Sequence, residues 1–214
     1  MLDAFRAPER VPKSISSQRL TLRQYRTYDA DPLAELLALS FKDHLEPWSP
    51  PSMREEAESG GRKAAREHIL AALDKWDDGS DYRFFITLRE TGEIVGQIGL
   101  TQIVRGVSQS CFIGYWIGLP FIHRGYATEA VVLAMEFAFD MLKLHRISLW
   151  ISVENRQSLR IPEKLGFRFE GTAERALFLG GHWQDTHVYA LTSEEWNERG
   201  EDWQKKFAPK LSEP

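Results

Sequence analysis

The chain has 214 residues, of which 43% are hydrophobic, a formal net charge of −4 and a single cysteine, Cys111. A slightly acidic chain has no general attraction for nucleic acid, so direct nucleic-acid binding is not expected. No apolar stretch is long enough to span a membrane, the N-terminus is too polar for a signal peptide, and one cysteine excludes an internal disulfide framework. These features predict a cytoplasmic protein with one sizeable core.

The first half of the chain predicts a strand, two helices and a hairpin. Leucines alternate with polar residues in "SISSQRLTLRQY", which predicts a strand. A helix is expected in "YDADPLAELLALSF", with Asp29 or Asp31 as its cap. Three prolines in "HLEPWSPPS" predict a loop, and residues 53–77 are expected to form one helix. Two apolar runs around Gly92 predict a hairpin.

The second half predicts four strands and three helices. "QSCFIGYWIG" is expected to be a strand, and apolar residues from Ala127 onward recur at helical spacing, with Glu129, Glu136 and Asp140 opposite them. A strand in "RISLWISV", a short helix in "NRQSLRIPEKLGF" and a terminal hairpin follow. A Thr-x-x-Glu capping box at Thr192 predicts the last helix. The order β-α-α-β-β-β-α-β-α-β-β-α indicates a mixed sheet covered by helices.

The stretch "FIHRGYATEA" stands where a strand passes into a helix. Gly125 permits an unusual φ and close approach of a ligand, and the N–H groups of residues 123–128 have no partner inside the helix. Arg124 adds a positive charge and Thr128 a hydroxyl, so a phosphate or pyrophosphate would suit this helix start. A tight strand-to-helix turn without a ligand explains Gly125 equally well.

Other phosphate and metal motifs are absent from the sequence. There is no Gly-Lys pair of a Walker loop and no G-x-G-x-x-G. Neither H-E-x-x-H nor C-x-x-C occurs, so no metal site is predicted.

The motif "RGYATEA", followed by "HRISLWISVENRQSLRIPEKLGFRFEG", resembles the GCN5-related N-acetyltransferases (GNAT). The resemblance is narrower to the ribosomal-protein alanine N-acetyltransferases of the RimJ/RimL type, through "SSQRLTLRQ", "HLEPWSP", "IVRG…CFIGYWIG" and "GGHWQDTHVYALTSEEW". The last three are more similar to RimJ. The family resemblance implies an α+β fold with a mixed, mostly antiparallel central sheet of about seven strands, and acetyl-CoA as cosubstrate.

The resemblance implies a set of coenzyme contacts. The pyrophosphate loop falls on Ile122, His123, Arg124, Gly125, Tyr126, Ala127 and Thr128, and further contacts fall on Trp116 and Ile117. Asn155 matches an asparagine that bonds the pantetheine arm, and it also suits a helix N-cap. Ser158 matches a serine near the CoA sulfur and is the one catalytic candidate, although a small helix residue without function is the alternative.

The family's acid and base are not found by analogy. A catalytic tyrosine would fall at Pro162, and a RimL-type glutamate would fall at Leu177. Cys111 lies in an apolar strand, where a thiol without an activating neighbour is inert, so direct transfer is expected. The acceptor site is expected to include five residues: Glu46, Trp48, Tyr115, His182 and Asp185.

The sequence therefore predicts an acetyl-CoA-dependent N-acetyltransferase acting on a primary amine, most of all the N-terminal α-amine of a protein, with a ribosomal protein as one candidate. The alternatives are a small-amine acetyltransferase of the same fold, and a non-catalytic acyl-CoA sensor or ribosome-assembly module. Residues 15–208 are expected to form one domain between an arm (1–14) and a tail (209–214). Either a monomer or a homodimer is compatible with the sequence.

Overall fold

The structure, a computed structural model, describes residue 8, residues 10–58 and residues 61–210. Within these ranges there are eight strands: β1 (Ser14–Ser16), β2 (Leu20–Gln24), β3 (Tyr82–Leu88), β4 (Ile94–Val104), β5 (Ser110–Ile117), β6 (Arg146–Ser152), β7 (Arg168–Leu179) and β8 (His182–Thr192). The same described residues form six α-helices: α1 (Ala30–Ser40), α2 (Pro51–Glu58), α3 (Arg62–Asp78), α4 (Tyr126–Glu136), α5 (Arg156–Lys164) and α6 (Ser193–Phe207).

The strands form one sheet in the order β1-β2-β3-β4-β5-β6-β8-β7. Every neighbouring pair is antiparallel except β5 and β6, which run parallel. The mostly antiparallel α+β architecture implied by the resemblance is confirmed. The first predicted strand divides into β1 and β2, which gives eight strands where about seven were expected.

Helices cover both faces of the sheet. Neighbouring residues of a strand point to opposite faces, and on β3 Phe84 packs with the α4 cluster while Phe85 packs with α1 and α3. Phe85 lies on the face that carries Leu33 of α1 and Ile69 of α3. The sheet is therefore the middle layer between α1–α3 on one side and α4 with α6 on the other.

The prediction of one helix over residues 53–77 is wrong. Two helices occupy this stretch, α2 ending at Glu58 and α3 beginning at Arg62. Gly61 precedes α3 with φ +94°, a conformation that an α-helix cannot contain. The apolar residues on which the prediction rested, Ala64, Ile69, Ala72 and Leu73, all lie in α3, so they did not indicate where that helix begins.

The structure describes only part of the two chain ends, for which the sequence predicts an arm, a capped last helix and a tail. The capping box is confirmed, since the Thr192 backbone N–H donates to Glu195 Oε2 at 2.8 Å. Most of the predicted N-terminal arm and residues 211–214 lie outside the described residues, so the domain limits remain a prediction. Within the described ranges, none of the helices has the length and apolar character needed to cross a bilayer.

Candidate active site

The two parallel strands pair only at their beginnings. Ser110, Cys111 and Phe112 of β5 pair with Arg146, Ile147 and Ser148 of β6, and the register stops there. The remaining residues, 113–117 of β5 and 149–152 of β6, diverge as each strand continues to pair on its other side. A wedge therefore opens in the middle of the sheet, and along it no strand pairs with residues 113–117 of β5 on the side of β6.

A cavity of about 770 Å³ occupies this wedge and extends to both faces. Its walls come from the diverging parts of β5 and β6, the starts of α4 and α5, and the turn before α2. Of the sequence-predicted site residues, it brings together Trp48, Tyr115, Trp116, Ile117, Ile122, His123, Gly125, Tyr126, Ala127, Thr128, Asn155 and Ser158.

The start of α4 forms one end of the cavity. Gly125 is the N-cap residue at φ +79°, and His123 also has a positive φ of +63°. A glycine cap has no side-chain acceptor, so the N–H groups of residues 126–128 keep no partner within the helix. These donors and the helix dipole make the position suitable for an anionic group.

An ion pair between a half-exposed arginine and a buried glutamate fixes this helix start. Glu129 in the first turn of α4 is fully buried; it accepts from Ser17 Oγ at 2.5 Å and from Arg19 Nε at 2.7 Å. Arg19 also donates to the Arg124 carbonyl at 3.2 Å and lies over the Tyr126 ring. Glu129 was predicted to lie opposite the apolar face of this helix; it is nevertheless buried, and Arg19 from the loop before β2 compensates its charge.

The positive charges near the cavity differ from those predicted. Arg124 folds away, donating to the Pro120 carbonyl at 3.1 Å and stacking on Phe121, and its side chain is absent from the cavity wall. Arg160 and Lys164 of α5 line the cavity instead. Sequence reasoning missed both, although their spacing of four places them on one face of α5.

The α5 side of the wedge carries the serine predicted to be catalytic. Asn155 caps α5, since its Oδ1 accepts from the Ser158 backbone N–H at 3.1 Å. The Tyr115 hydroxyl reaches across from β5 and lies 2.9 Å from Ser158 Oγ. Burial raises the pKa of the Tyr115 phenol well above its ordinary value, so this group stays protonated at neutral pH.

The predicted acceptor residues are only partly assembled in the cavity. Trp48 lines it, within a turn held over the β7–β8 hairpin by a hydrogen bond from Gln184 to the Pro47 carbonyl. Three others lie outside the wall. Glu46 pairs with Arg54 at 2.7 Å, Asp185 accepts from the Arg175 backbone N–H, and His182 is exposed.

Two further side chains bear on the chemistry. His44 lines the cavity; burial lowers its pKa, which a hydrogen bond to the Ile117 backbone partly opposes, so the imidazole is neutral at pH 7. Cys111 is 1% exposed and burial raises its pKa, so a reactive thiolate is disfavoured. Among residues 10–58 and 61–210, no cluster of three or more His, Cys, Asp or Glu side chains is arranged to hold a metal ion.

Comparisons with known proteins agree with this geometry. Residues 19–168 match the model of the acetyltransferase (GNAT) domain. The chain is 31% identical to the [ribosomal protein uS5]-alanine N-acetyltransferase of Escherichia coli over 190 residues, covering 87% of this chain and 94% of that protein. It is 36% identical to the probable N-acetyltransferase YjcK of Bacillus subtilis, over 59% of this chain and 70% of that one.

Among solved structures, the fold is similar to that of Mycobacterium smegmatis RimJ in complex with CoA-disulfide. The TM-score is 0.84 at 26% identity, over 92% of this chain and 96% of that one.

Proposed function

This chain belongs to the GNAT acetyltransferase family, and we propose that it transfers the acetyl group of acetyl-CoA to the N-terminal α-amine of a protein. One observation carries the proposal: the start of α4, the free edge of β5 and the start of α5 line a single cavity. The relative from Escherichia coli, covered over 94% of its length, acts on an alanine of a ribosomal protein. A ribosomal protein is therefore the first acceptor to test.

The residues present fit acetyl-CoA. The N–H donors of residues 126–128 can bind its pyrophosphate. The positive charges of Arg160 and Lys164 can bind the phosphate on its ribose. The unpaired edge of β5 beyond Phe112 offers N–H and C=O groups that can bond an amide-containing arm as a neighbouring strand would. When bound, acetyl-CoA supplies the acetyl group as an activated thioester.

The chain's own residues then align the amine with the thioester and polarise the thioester carbonyl. Backbone N–H groups along the β5 edge stabilise negative charge on a carbonyl oxygen held there. Ser158, bonded to the protonated Tyr115, holds a proton that can pass to a departing sulfur. A terminal α-amine has a reference pKa of about 7.7–8.0, so a useful neutral fraction exists near pH 7 without a strong base. Leu177, at the position of the RimL-type glutamate, lies in the cavity wall and cannot act as a base.

A turnover assay tests the proposal. Free thiol released from acetyl-CoA is measured with peptides that begin with alanine or serine, with free lysine and with spermidine. We expect the peptides to have the highest kcat/KM. Preference for spermidine or the lysine side chain would assign a small-amine acetyltransferase, and absence of turnover with every amine, despite binding of acetyl-CoA, would assign a binding module.

A further inference from the structure

One part of the cavity wall is polar and lies between the sheet and the helices α2 and α3. Glu56 of α2 and His68 of α3 face Arg83 of β3 and Gln97 of β4, and Tyr25 stacks on His68 with ring centroids 5.8 Å apart. We call these five residues the polar chamber. None of them belongs to the predicted coenzyme site.

The polar chamber contains buried atoms without partners. Among the described residues, Glu56 Oε1, His68 Nε2, Arg83 Nε and Gln97 Nε2 are buried and have no hydrogen-bond partner. Each such atom costs about 1–3 kcal/mol if it stays unsatisfied. Two are acceptors and two are donors when His68 Nδ1 carries the imidazole hydrogen, so one ligand that both donates and accepts would satisfy them.

The other ends of these side chains are already fixed. Glu56 Oε2 lies 3.2 Å from His68 Nδ1, which directs the imidazole N–H at the carboxylate. Trp116 Nε1 donates to Gln97 Oε1 at 3.0 Å, and an Arg83 amino group donates to Asp81 at 3.1 Å. The unpartnered atoms are therefore held in place rather than free to turn towards each other.

A row that contains two glycines leads from the wedge to the polar chamber. Gly114 of β5 pairs with Gly99 of β4, and Gly99 pairs with Arg83 of β3, so the three lie in one row across the same face. A Cβ added at Gly114 would meet nothing within 4 Å, whereas one added at Gly99 would meet the Arg83 and Thr101 side chains at 3.3 Å. The row is therefore open at Gly114, and the Arg83 side chain borders it at Gly99. Two strand spacings make the row about 10 Å long, which is the length of roughly three extended residues.

Resting on the proposed function, we propose that the polar chamber binds the acceptor polypeptide beyond its terminal amine, at the second or third residue. The amine lies at the Gly114 end, next to the wedge, and a backbone amide of the acceptor lies in the polar chamber. An amide is a suitable ligand because it donates through N–H and accepts through C=O. A free amino acid is too short to reach both ends.

The length dependence of turnover tests this proposal on the unaltered protein. Alaninamide, dialanine amide, trialanine amide and tetraalanine amide are compared as acceptors at saturating acetyl-CoA. We expect kcat/KM to rise at least 10-fold between alaninamide and trialanine amide and to change little thereafter. Equal kcat/KM for all four would overturn the inference, while turnover of alaninamide would leave the proposed function intact.

Two variants test whether the gain in kcat/KM with acceptor length depends on the polar chamber. Glu56→Gln keeps the size of the side chain and replaces an acceptor by a donor, and we expect it to reduce the gain for trialanine amide to less than 3-fold. Glu67→Gln on the exposed face of α3 is the matched control, since the Glu67 side chain is 68% exposed, and it should keep the full gain. The same thermal shift with acetyl-CoA in both variants confirms folding. Equal gains in both variants would contradict the role of the polar chamber.

Gly114→Val tests the path itself. A Cβ at this position has no neighbour within 4 Å and valine favours strands, so we expect the melting temperature not to fall. We expect the variant to lose the gain for trialanine amide, because its side chain fills the row. A Gly114→Val variant that keeps the gain would show that the acceptor takes another route.

Discussion

The Tyr115 hydroxyl lies 2.9 Å from Ser158 Oγ and 3.4 Å from the Ser158 carbonyl, so the two residues join β5 to α5 across the wedge. The carbonyl is available because Pro162, four residues later, has no N–H to complete the helical hydrogen bond. The position at which the family resemblance places a tyrosine is thus a proline, and a tyrosine from β5 reaches the same turn of α5.

This pairing predicts the behaviour of two variants. Ser158→Ala should lower kcat by about 10- to 100-fold, equivalent to roughly 1.4–2.7 kcal/mol, with little change in acetyl-CoA affinity. Tyr115→Phe should lower kcat less, and the double variant should be no worse than Ser158→Ala alone, because both act on one proton. Steady-state kinetics of all three supply the test.

Ser108→Ala, in the turn before β5 and outside the cavity wall, is the control and should keep wild-type kcat. If Ser158→Ala also keeps wild-type kcat, water donates the proton and Ser158 serves only packing.

The start of α4 predicts a charge-specific loss of coenzyme binding. Gly125→Asp places a carboxylate where the phosphates are expected, while Gly125→Asn has the same size without charge. Both residues tolerate the positive φ of this position better than other side chains do. Acetyl-CoA at 100 times its Kd should stabilise the native protein by about 2.7 kcal/mol.

We expect the thermal shift to vanish in Gly125→Asp and to persist, though reduced, in Gly125→Asn. Identical shifts in both variants would place the pyrophosphate elsewhere.

The ion pair between Arg19 and Glu129 predicts a loss of stability. Arg19→Met leaves a fully buried carboxylate without its charge partner, which should lower the free energy of unfolding by roughly 2–4 kcal/mol. The double variant with Glu129→Leu should recover part of the loss, since no isolated charge remains. Urea denaturation measures both, and an Arg19→Met variant as stable as the wild type would contradict the assignment.

The buried thiol predicts an inert Cys111. Because burial raises the pKa of this group, iodoacetamide at pH 7.5 should label it only after unfolding. Cys111→Ala should retain most of the turnover, as direct transfer requires no acyl-cysteine. Mass spectrometry follows the labelling. A folded Cys111→Ala variant that binds acetyl-CoA but has lost turnover would reverse this conclusion.

Structural features that depend on residues close together in the sequence were predicted correctly. The capping box at Thr192 and the helix start near Gly125 depend on neighbouring residues, and both occur where expected. The pairing of Arg19 with Glu129 joins residues 110 positions apart, and no local pattern indicates it. The polar chamber draws its side chains from two helices, two strands and the loop after β2, so it becomes visible only when these elements are packed together.

The three residue pairs between β5 and β6 also bear on the order of folding. In the described part of the chain, β1–β5 pair among themselves and β6–β8 among themselves, and no other strand pairing links the two groups. All strands of the first group precede residue 118, so a nascent chain emerging at roughly 5–20 residues per second has the first group complete before β6 is synthesised. We expect the two groups of strands, joined by only this short seam, to differ in amide hydrogen exchange, with the boundary between the two protection classes lying between β5 and β6.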